Sequence, residues 1–451
     1  MRMNKILSII IIGCILSGIS ISGCLDQSSQ EPSETNMTNT DVAVAFFTNL
    51  SIMNYNAAYA FFNESITQGF SLSQFTAAWE YYLATYGSFV SIQGLRNATI
   101  DDFDIIYVNI TFDEGYLAIF RLVFNDDSRI TGFWFDGYES LGDYTPPSYV
   151  DRDSFIEHNV SFGQAEWQLA GTLTIPVNAT DAPAVILIHG SGPNDRDETI
   201  GPNKPFKDLA WGLASQGITI LRYDKRTYTY TEETAAIITF TPQEEVVDDA
   251  LEAISFLKTS PLIFSSDIYI LGHSLGAMLA PAIGSQIDEI AGLIMLAAPA
   301  RSLEDLILNQ TIYLSNLDDV IDENETASIQ IIQEEVQKVK TGNYGDEEQV
   351  LNVYKSYWEW LNQYDQLMVA ENLSLPQLFL QGKRDYQVTY EEDFLQWQQT
   401  LQSKSDITFL SYEDLNHLFI TGEGQPTNTE YFIEGHVASS VITDIATWIL
   451  Q

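Results

Sequence analysis

One five-residue stretch carries chemistry on its face: Gly272-His273-Ser274-Leu275-Gly276, set between the apolar run Ile268-Tyr269-Ile270-Leu271 and the small-residue run Ala277-Met278-Leu279-Ala280. A hydrophobic strand entering and an Ala-rich helix leaving make this a strand-to-helix junction. The two glycines leave room for a tight, strained turn that exposes the serine, and the helix start points backbone N–H groups toward developing negative charge. A serine hydroxyl is a weak nucleophile at neutral pH. It needs a histidine to take its proton and a carboxylate to fix that histidine's tautomer and stabilise the imidazolium. The chain has only 5 histidines but 62 acidic residues, so position along the fold has to choose among them.

The elements that must do the positioning follow from hydrophobic period. Residues 155–162 and 167–175 read as an antiparallel strand pair. The run 184–188 is apolar throughout, the mark of a strand covered on both faces. Then come helix 206–215, strand 218–223, helix 244–258, strand 268–271, helix 275–286 and strand 291–297. After an interruption follow strand 377–380, helix 391–401, strand 407–412 and a last helix over 434–450. Such alternation predicts an α/β architecture, a mostly parallel sheet flanked by helices. Residues 302–375 break the alternation with polar-rich helical segments and are expected to form a cap over the carboxyl ends of the strands. Within them Val353, Tyr354, Tyr357, Trp358, Leu361 and Tyr364 share one helical face, suited either to lining an acyl pocket or to packing the cap on the body.

The first third of the chain is organised differently. Residues 41–62 and 71–87 carry helical periodicity, and 89–92, 105–112, 116–124 and 130–135 switch to a period of two. This predicts a small α+β domain over 41–141, two helices followed by four antiparallel strands. Its element order resembles the cone-shaped nuclear-transport-factor-2-like domains found ahead of some secreted hydrolases. Its Phe, Trp and Tyr residues read as core rather than as a ligand cavity. A linker over 142–153, with Pro146-Pro147, separates it from a second domain over 154–451.

Residues 1–23 have the shape of an export signal: a basic start (Arg2, Lys5), then an apolar run too short for a comfortable membrane span. The ending Ile21-Ser22-Gly23-Cys24 resembles the lipobox of prokaryotic lipoproteins, which implies lipidation of Cys24 and a flexible tether over 24–40. Cys14 would leave with the signal. The expected address is the outer face of the cytoplasmic membrane of a prokaryote, reached through the anchor alone. Ten N-x-S/T sequons between Asn36 and Asn372 fit an N-glycosylated envelope protein.

Composition narrows the partners. The formal charge is −42, from 62 acidic against 20 basic residues, and no Lys/Arg patch is present to bind nucleic acid or anionic lipid. So many carboxylates serve either a heavily hydrated surface or life at high salt, where a Debye length of about 3 Å at 1 M weakens self-repulsion. No histidine pair has metal-ligand spacing, and no metal site is expected.

Taken together, the motifs HGSGPNDRDETIGPNKPFKDLAWGLASQGITILRYDKR, GHSLGAMLAP, GKRDYQV and DLNHLF resemble the α/β-hydrolase superfamily, specifically exported carboxylesterases of the EstD type, across residues 155–451. The resemblance implies hydrolysis of short-chain carboxylic esters of small molecules, without a cofactor. It places the nucleophile at Ser274, the acid at Asp385 beyond strand 377–380, and the base at His417 beyond strand 407–412, in the hydrolase order Ser, Asp, His. Of the other histidines, His158 lies before the sheet core, His189 and His273 sit within the other motifs, and His436 falls in the last predicted helix. Asp414 is a rival acid, but it stands in the turn just before His417. The resemblance also places the oxyanion hole at the backbone N–H groups of Leu275 and Ser191, with Gly192 as the substitute for the second. Asp195, Arg196 and Asp197, and Asp224-Lys225-Arg226, are expected to buttress that loop by ion pairs. Two other uses of the same fold stay open: a serine aminopeptidase, for which Asp318, Asp319, Glu334 and Glu335 in the cap are available to hold an amino terminus, or a thioesterase. A non-catalytic envelope binding protein is the reading from a different class.

Overall fold

A computed structural model describes residues 37–451, apart from 101–102, 114–115, 126, 141–143, 178–180, 264–266, 288, 318 and 322. The signal over 1–23, Cys24 and all of the tether before residue 37 lie outside the described residues. The chain forms two compact units, one ending at Thr145 and the other running Pro146–Gln451.

In the first unit, Thr38 and Ser71 each begin a helix with a capping box, Asn39–Ser51 and Leu72–Tyr86. The side-chain oxygen accepts from the third helical N–H while the Asp41 or Gln74 side chain reaches back, so two otherwise unpaired donors are satisfied at each start. The stretch read as one continuing helix is broken: Met53 is left-handed at φ 57°, and Asn54 caps a new short helix, Tyr55–Tyr59, followed by Glu64–Gly69. Four antiparallel strands follow, β1 (Phe89–Ile100), β2 (Phe103–Phe112), β3 (Tyr116–Phe124) and β4 (Ile130–Ser140), and they lie side by side in chain order. Phe46, Phe47, Phe75, Trp79 and Phe120 are buried between the helices and one face of this sheet. Phe120 and Phe133 stack at 5.6 Å, and Phe46 meets Phe47 edge-on at 5.1 Å, geometries that ring quadrupoles favour.

The second unit is built on one eight-stranded sheet. It opens with β5 (Phe155–Phe162) and β6 (Leu169–Pro176), an antiparallel pair joined antiparallel to β8 (Thr219–Tyr223). The rest of the sheet is parallel: β7 (Ala184–Ile188), β9 (Ile268–His273), β10 (Gly292–Leu296), β11 (Gln377–Gly382) and β12 (Ile407–Tyr412). The eight strands lie in the order β12-β11-β10-β9-β7-β8-β6-β5. Every residue of β7 is buried, as its continuous apolar character requires. Between β10 and β11 the described residues of the insertion form the helices Leu303–Ser315, Glu323–Thr341, Lys355–Gln363 and Gln366–Asn372. The last helix begins at Ser439 rather than near 434. His436 therefore precedes it, because Asp208 holds this segment, accepting from the Val437 N–H at 2.9 Å and pairing with His436 Nδ1 at 3.1 Å. In a parallel sheet of this kind the carboxyl ends of the strands form the crevice where ligands bind, and the sequence-predicted chemistry falls there.

Candidate active site

Ser274 sits between β9 and the helix Leu275–Gly284 in a strained conformation, φ 51° and ψ −116°. The turn is held by the Ser274 N–H donating to Leu296 O at 2.9 Å, and by Met278 N–H donating to Ser274 O at 2.9 Å. Both flanking glycines are required by backbone proximity. A Cβ on Gly272 would collide with the Gly276 carbonyl, and one on Gly276 with the Ile188 carbonyl at the end of β7. The positive φ of Ser274 costs ~1–3 kcal/mol, a cost borne by the surrounding structure and of the kind that collects at functional positions.

Asp385 and His417, on the loops after β11 and β12, are brought together: His417 Nδ1 lies 2.7 Å from Asp385 Oδ2. The carboxylate is fully satisfied. Its Oδ1 accepts from the N–H groups of Gln387 at 2.8 Å and Val388 at 3.0 Å, and its Oδ2 also accepts from Gln381 Nε2 at 3.2 Å. A proton on Nδ1 directed at Asp385 leaves Nε2 as the acceptor, the tautomer a general base needs. Among the described residues no hydrogen bond joins Ser274 to His417; such contacts often tighten only once substrate is present. Asp414 is exposed in the turn after β12, and its carbonyl accepts from Gly422 N–H at 3.0 Å.

The loop after β7 is pinned by its carbonyls. Lys225 Nζ donates to Gly190 O at 2.8 Å and Gly192 O at 3.0 Å. Asn194 Nδ2 donates to the carbonyls of Gly190, Ser191 and Gly192 at 3.3, 3.1 and 3.2 Å. With the carbonyls committed to one side, the N–H groups of Ser191 and Gly192 are free of protein acceptors among the described residues, as is that of Leu275. Lys225 is itself buried and paired with Glu245 at 2.5 Å, and Glu245 accepts from Tyr357 Oη at 2.7 Å. Arg196 pairs with Asp224 at 2.5 Å, Asp197 with Arg222 at 3.0 Å, and Arg226 with Asp249.

Two features had no reading from sequence. Glu198, left-handed at φ 51° and 1% exposed, accepts from the Gly190 N–H at 2.7 Å and lies 3.1 Å from His273 Nδ1. That approach is off the hydrogen-bond direction, so it is an ion-pair contact rather than a directed bond. His273 Nε2 lies 3.0 Å from His417 O. Burial pulls His273 down, but Glu198 more than offsets this and its pKa stands above the ordinary value; burial likewise raises Glu198, and His273 turns the net shift downward. His189 is different. Burial dominates and takes its pKa down to about 4, so it is neutral at pH 7. Nothing in residue type or spacing singles out Glu198, since His273 reaches it from the end of β9, far along the chain.

The cap face predicted to line a pocket or to pack does pack. Trp358 Nε1 donates to Val350 O at 2.8 Å and Tyr364 Oη to Met278 O at 2.8 Å, while Tyr357, Trp358 and Leu361 are buried. Val353 and Tyr354 precede the helix Lys355–Gln363. Among the described residues no group of three His, Cys, Asp or Glu side chains could hold a metal ion, and no helix is long and apolar enough to cross a membrane.

A serine on a strained elbow, a carboxylate-held histidine and a loop of free N–H groups, all at the carboxyl ends of one sheet, define an α/β-hydrolase. Residues 184–424 match a family model described as serine aminopeptidase, S33, and residues 43–133 one described as a protein of unknown function. Esterase EstD of Thermotoga maritima is 35% identical over 451 residues, all of both chains. Among solved structures, an esterase of Pyrococcus furiosus covers 68% of this chain and 94% of its own at 16% identity and TM-score 0.42. Est1E of Butyrivibrio proteoclasticus covers 65% and 98% at 16% and 0.42. The chain belongs to the S33 family of α/β-hydrolases, and it is a carboxylesterase-type hydrolase.

Proposed function

We propose that the protein hydrolyses short-chain carboxylic esters of small molecules through Ser274, His417 and Asp385. His417 Nε2 removes the Ser274 proton as Oγ attacks the ester carbonyl, and Asp385 stabilises the resulting imidazolium. The tetrahedral oxyanion is held by the N–H groups of Leu275 and Ser191, with Gly192 able to replace the second; each such donor is worth ~3 kcal/mol. Collapse expels the alcohol, which takes the proton from His417 and leaves an acyl-serine. Water, deprotonated by the same histidine, then releases the acid and restores Ser274. No cofactor enters these steps. The observation that carries the reading is the 2.7 Å His417–Asp385 contact; a proton held on Nδ1 by that carboxylate leaves Nε2 as the base.

The aminopeptidase alternative would call on the carboxylates of the cap. Asp318 lies outside the described residues, Asp319 and Glu334 are exposed, and Glu335 already accepts from Leu351 N–H at 3.0 Å. Hydrolysis of p-nitrophenyl acetate and butyrate, set against aminoacyl-naphthylamides, tests the choice: ester turnover lost in Ser274→Ala supports it, and preferential amide turnover overturns it.

The same proposal places the enzyme at the cell surface, exported by residues 1–23 and lipidated on Cys24, with residues 41–141 as a nuclear-transport-factor-2-like extension. Of the sequons, Asn97, Asn159 and Asn309 are exposed and suited to glycosylation, whereas the Asn372 Nδ2 that would carry a glycan already donates to Met368 O at 2.8 Å. Metabolic labelling with a palmitate analogue, absent from Cys24→Ser, tests the anchor.

A further inference from the structure

The base and the oxyanion loop come from opposite ends of the second unit's sequence, yet one buried pair holds the main chain of both. Glu198 Oε1 accepts from the Gly190 N–H at 2.7 Å, and His273 Nε2 donates to His417 O at 3.0 Å. Glu198 and His273 face each other at 3.1 Å, with side chains 2% and 6% exposed. Gly190 is wedged at the centre: a Cβ there would meet Glu198 Oε1 and Ser274 Cβ, both at 3.3 Å. Beside the pair lies a cavity of about 10 Å³, bordered by Phe206, Leu418 and other apolar side chains. That is at the lower limit of the ~10–15 Å³ that holds a single water, so with both side chains buried no substrate fits against the pair, and any effect on the reaction passes through its neighbours.

We propose that Glu198 and His273 are positioning residues for ester hydrolysis, fixing the main chain of His417 and of the oxyanion loop against Ser274 at the same time. This rests on the roles given above to Ser274, His417 and the oxyanion loop. Neither side chain touches substrate, so the effect falls on kcat and leaves KM alone. His273 is the residue immediately before the nucleophile, and a strut of this kind places the histidine carbonyl and the serine in one rigid frame. Misplacement of reacting groups by about 1 Å costs on the order of 10²-fold.

The test compares variants that keep each hydrogen bond with variants that remove it. In His273→Gln the Nε2 can still donate to His417 O, and in His273→Leu no donor remains. In Glu198→Gln, Oε1 still accepts from Gly190 while the charge facing His273 Nδ1 is removed; Glu198→Ala loses both the Gly190 bond and the contact. kcat and KM for p-nitrophenyl butyrate are measured per active site, counted by fluorophosphonate titration, with thermal unfolding as the control for folding. His273→Leu and Glu198→Ala are expected to lower kcat about 10- to 100-fold with KM within about threefold, and the two Gln variants to recover most of the loss. Should His273→Leu fail to fold, His273→Asn serves instead, since its amide is too short to span to His417 O. The proposal is overturned if the Leu, Asn and Ala variants keep wild-type kcat, or if the Gln variants lose as much as they do. Ser274→Ala is run alongside. An inactive Ser274→Ala with fully active Glu198→Ala overturns only the positioning role, whereas an active Ser274→Ala overturns the reading on which it rests.

Discussion

Removal of the Lys225 ammonium should weaken the oxyanion hole without touching substrate. Its Nζ reaches the carbonyls of Gly190 and Gly192 at 2.8 and 3.0 Å, and each charge-assisted bond is worth about 1.5–3 kcal/mol. Lys225→Met also strands Glu245, which is 6% exposed; breaking such a buried pair costs ~3–5 kcal/mol. The companion Lys225→Met/Glu245→Gln removes the stranded charge, and stability should return while activity should not. With Lys225 gone, Asn194 still holds the three loop carbonyls through bonds of 3.1 to 3.3 Å, helped at Gly192 O by a long bond of 3.5 Å from Thr227 Oγ1. Lys225→Met/Glu245→Gln should therefore lose part of the effect of one oxyanion donor. Adding Asn194→Ala should approach the whole of it, ~10²–10³-fold in kcat. KM should stay within about threefold, because the loop N–H groups bind the developing charge more strongly than the ground-state carbonyl. Steady-state hydrolysis of p-nitrophenyl butyrate, beside urea unfolding of each variant, separates the two effects. A folded triple variant with kcat within about threefold of wild type would refute the idea that carbonyl pinning sets the direction of the N–H groups.

Further expectations concern acidity, charge and backbone space. His189 titrates at about 4 in the fold against an ordinary 6.5, so the unfolded chain binds the extra proton first. Its contribution is intact above pH 6.5 and lost progressively as pH falls toward 4, about 3 kcal/mol in all. His189→Gln should flatten the fall in urea-derived stability between pH 7 and 4.5; an unchanged slope would contradict the assignment. His273 and His436, both raised, act with the opposite sign, and that contribution cancels in the comparison. Asp385→Asn should lower kcat by about 10⁴-fold while Asp414→Ala stays near wild type, and the reverse order would reassign the acid. Gly276→Ala forces a methyl into the Ile188 carbonyl, and the protein should be insoluble or lose most of its esterase activity; wild-type activity and melting temperature would show that the elbow has slack.

What could be read in advance was whatever is local. Gly272 and Gly276 flank Ser274 within five residues, and the apolar runs of β7, β9, β11 and β12 end directly before the loops that carry Ser191, Ser274, Asp385 and His417. Pairings made by the sheet itself stayed hidden. Lys225 finds the Gly190 and Gly192 carbonyls because β8 lies parallel to β7, and only ion pairs were foreseeable for it. Glu198 meets His273 because β9 flanks β7 on its other side. Boundaries failed where long-range bonds override period. The segment at Gly435–Val437 looks helical, yet Asn203 accepts from the Gly435 N–H at 2.8 Å and Asp208 from that of Val437 at 2.9 Å, which keeps it extended. In the first unit β1 runs on to Ile100 through Gln93, Arg96, Asn97 and Thr99, positions that carry no apolar alternation to read.

The central claim is that Ser274 is activated by His417 to form an acyl-enzyme, and covalent trapping tests it most directly. The protein is incubated with a fluorophosphonate ester, and the adduct is mapped by peptide mass spectrometry. The account predicts one adduct per chain, on Ser274, with loss of esterase activity in step with labelling. It also predicts no adduct in Ser274→Ala and sharply slowed labelling in His417→Ala. Labelling of another residue that tracks the loss of activity, or full esterase activity in Ser274→Ala, would contradict it.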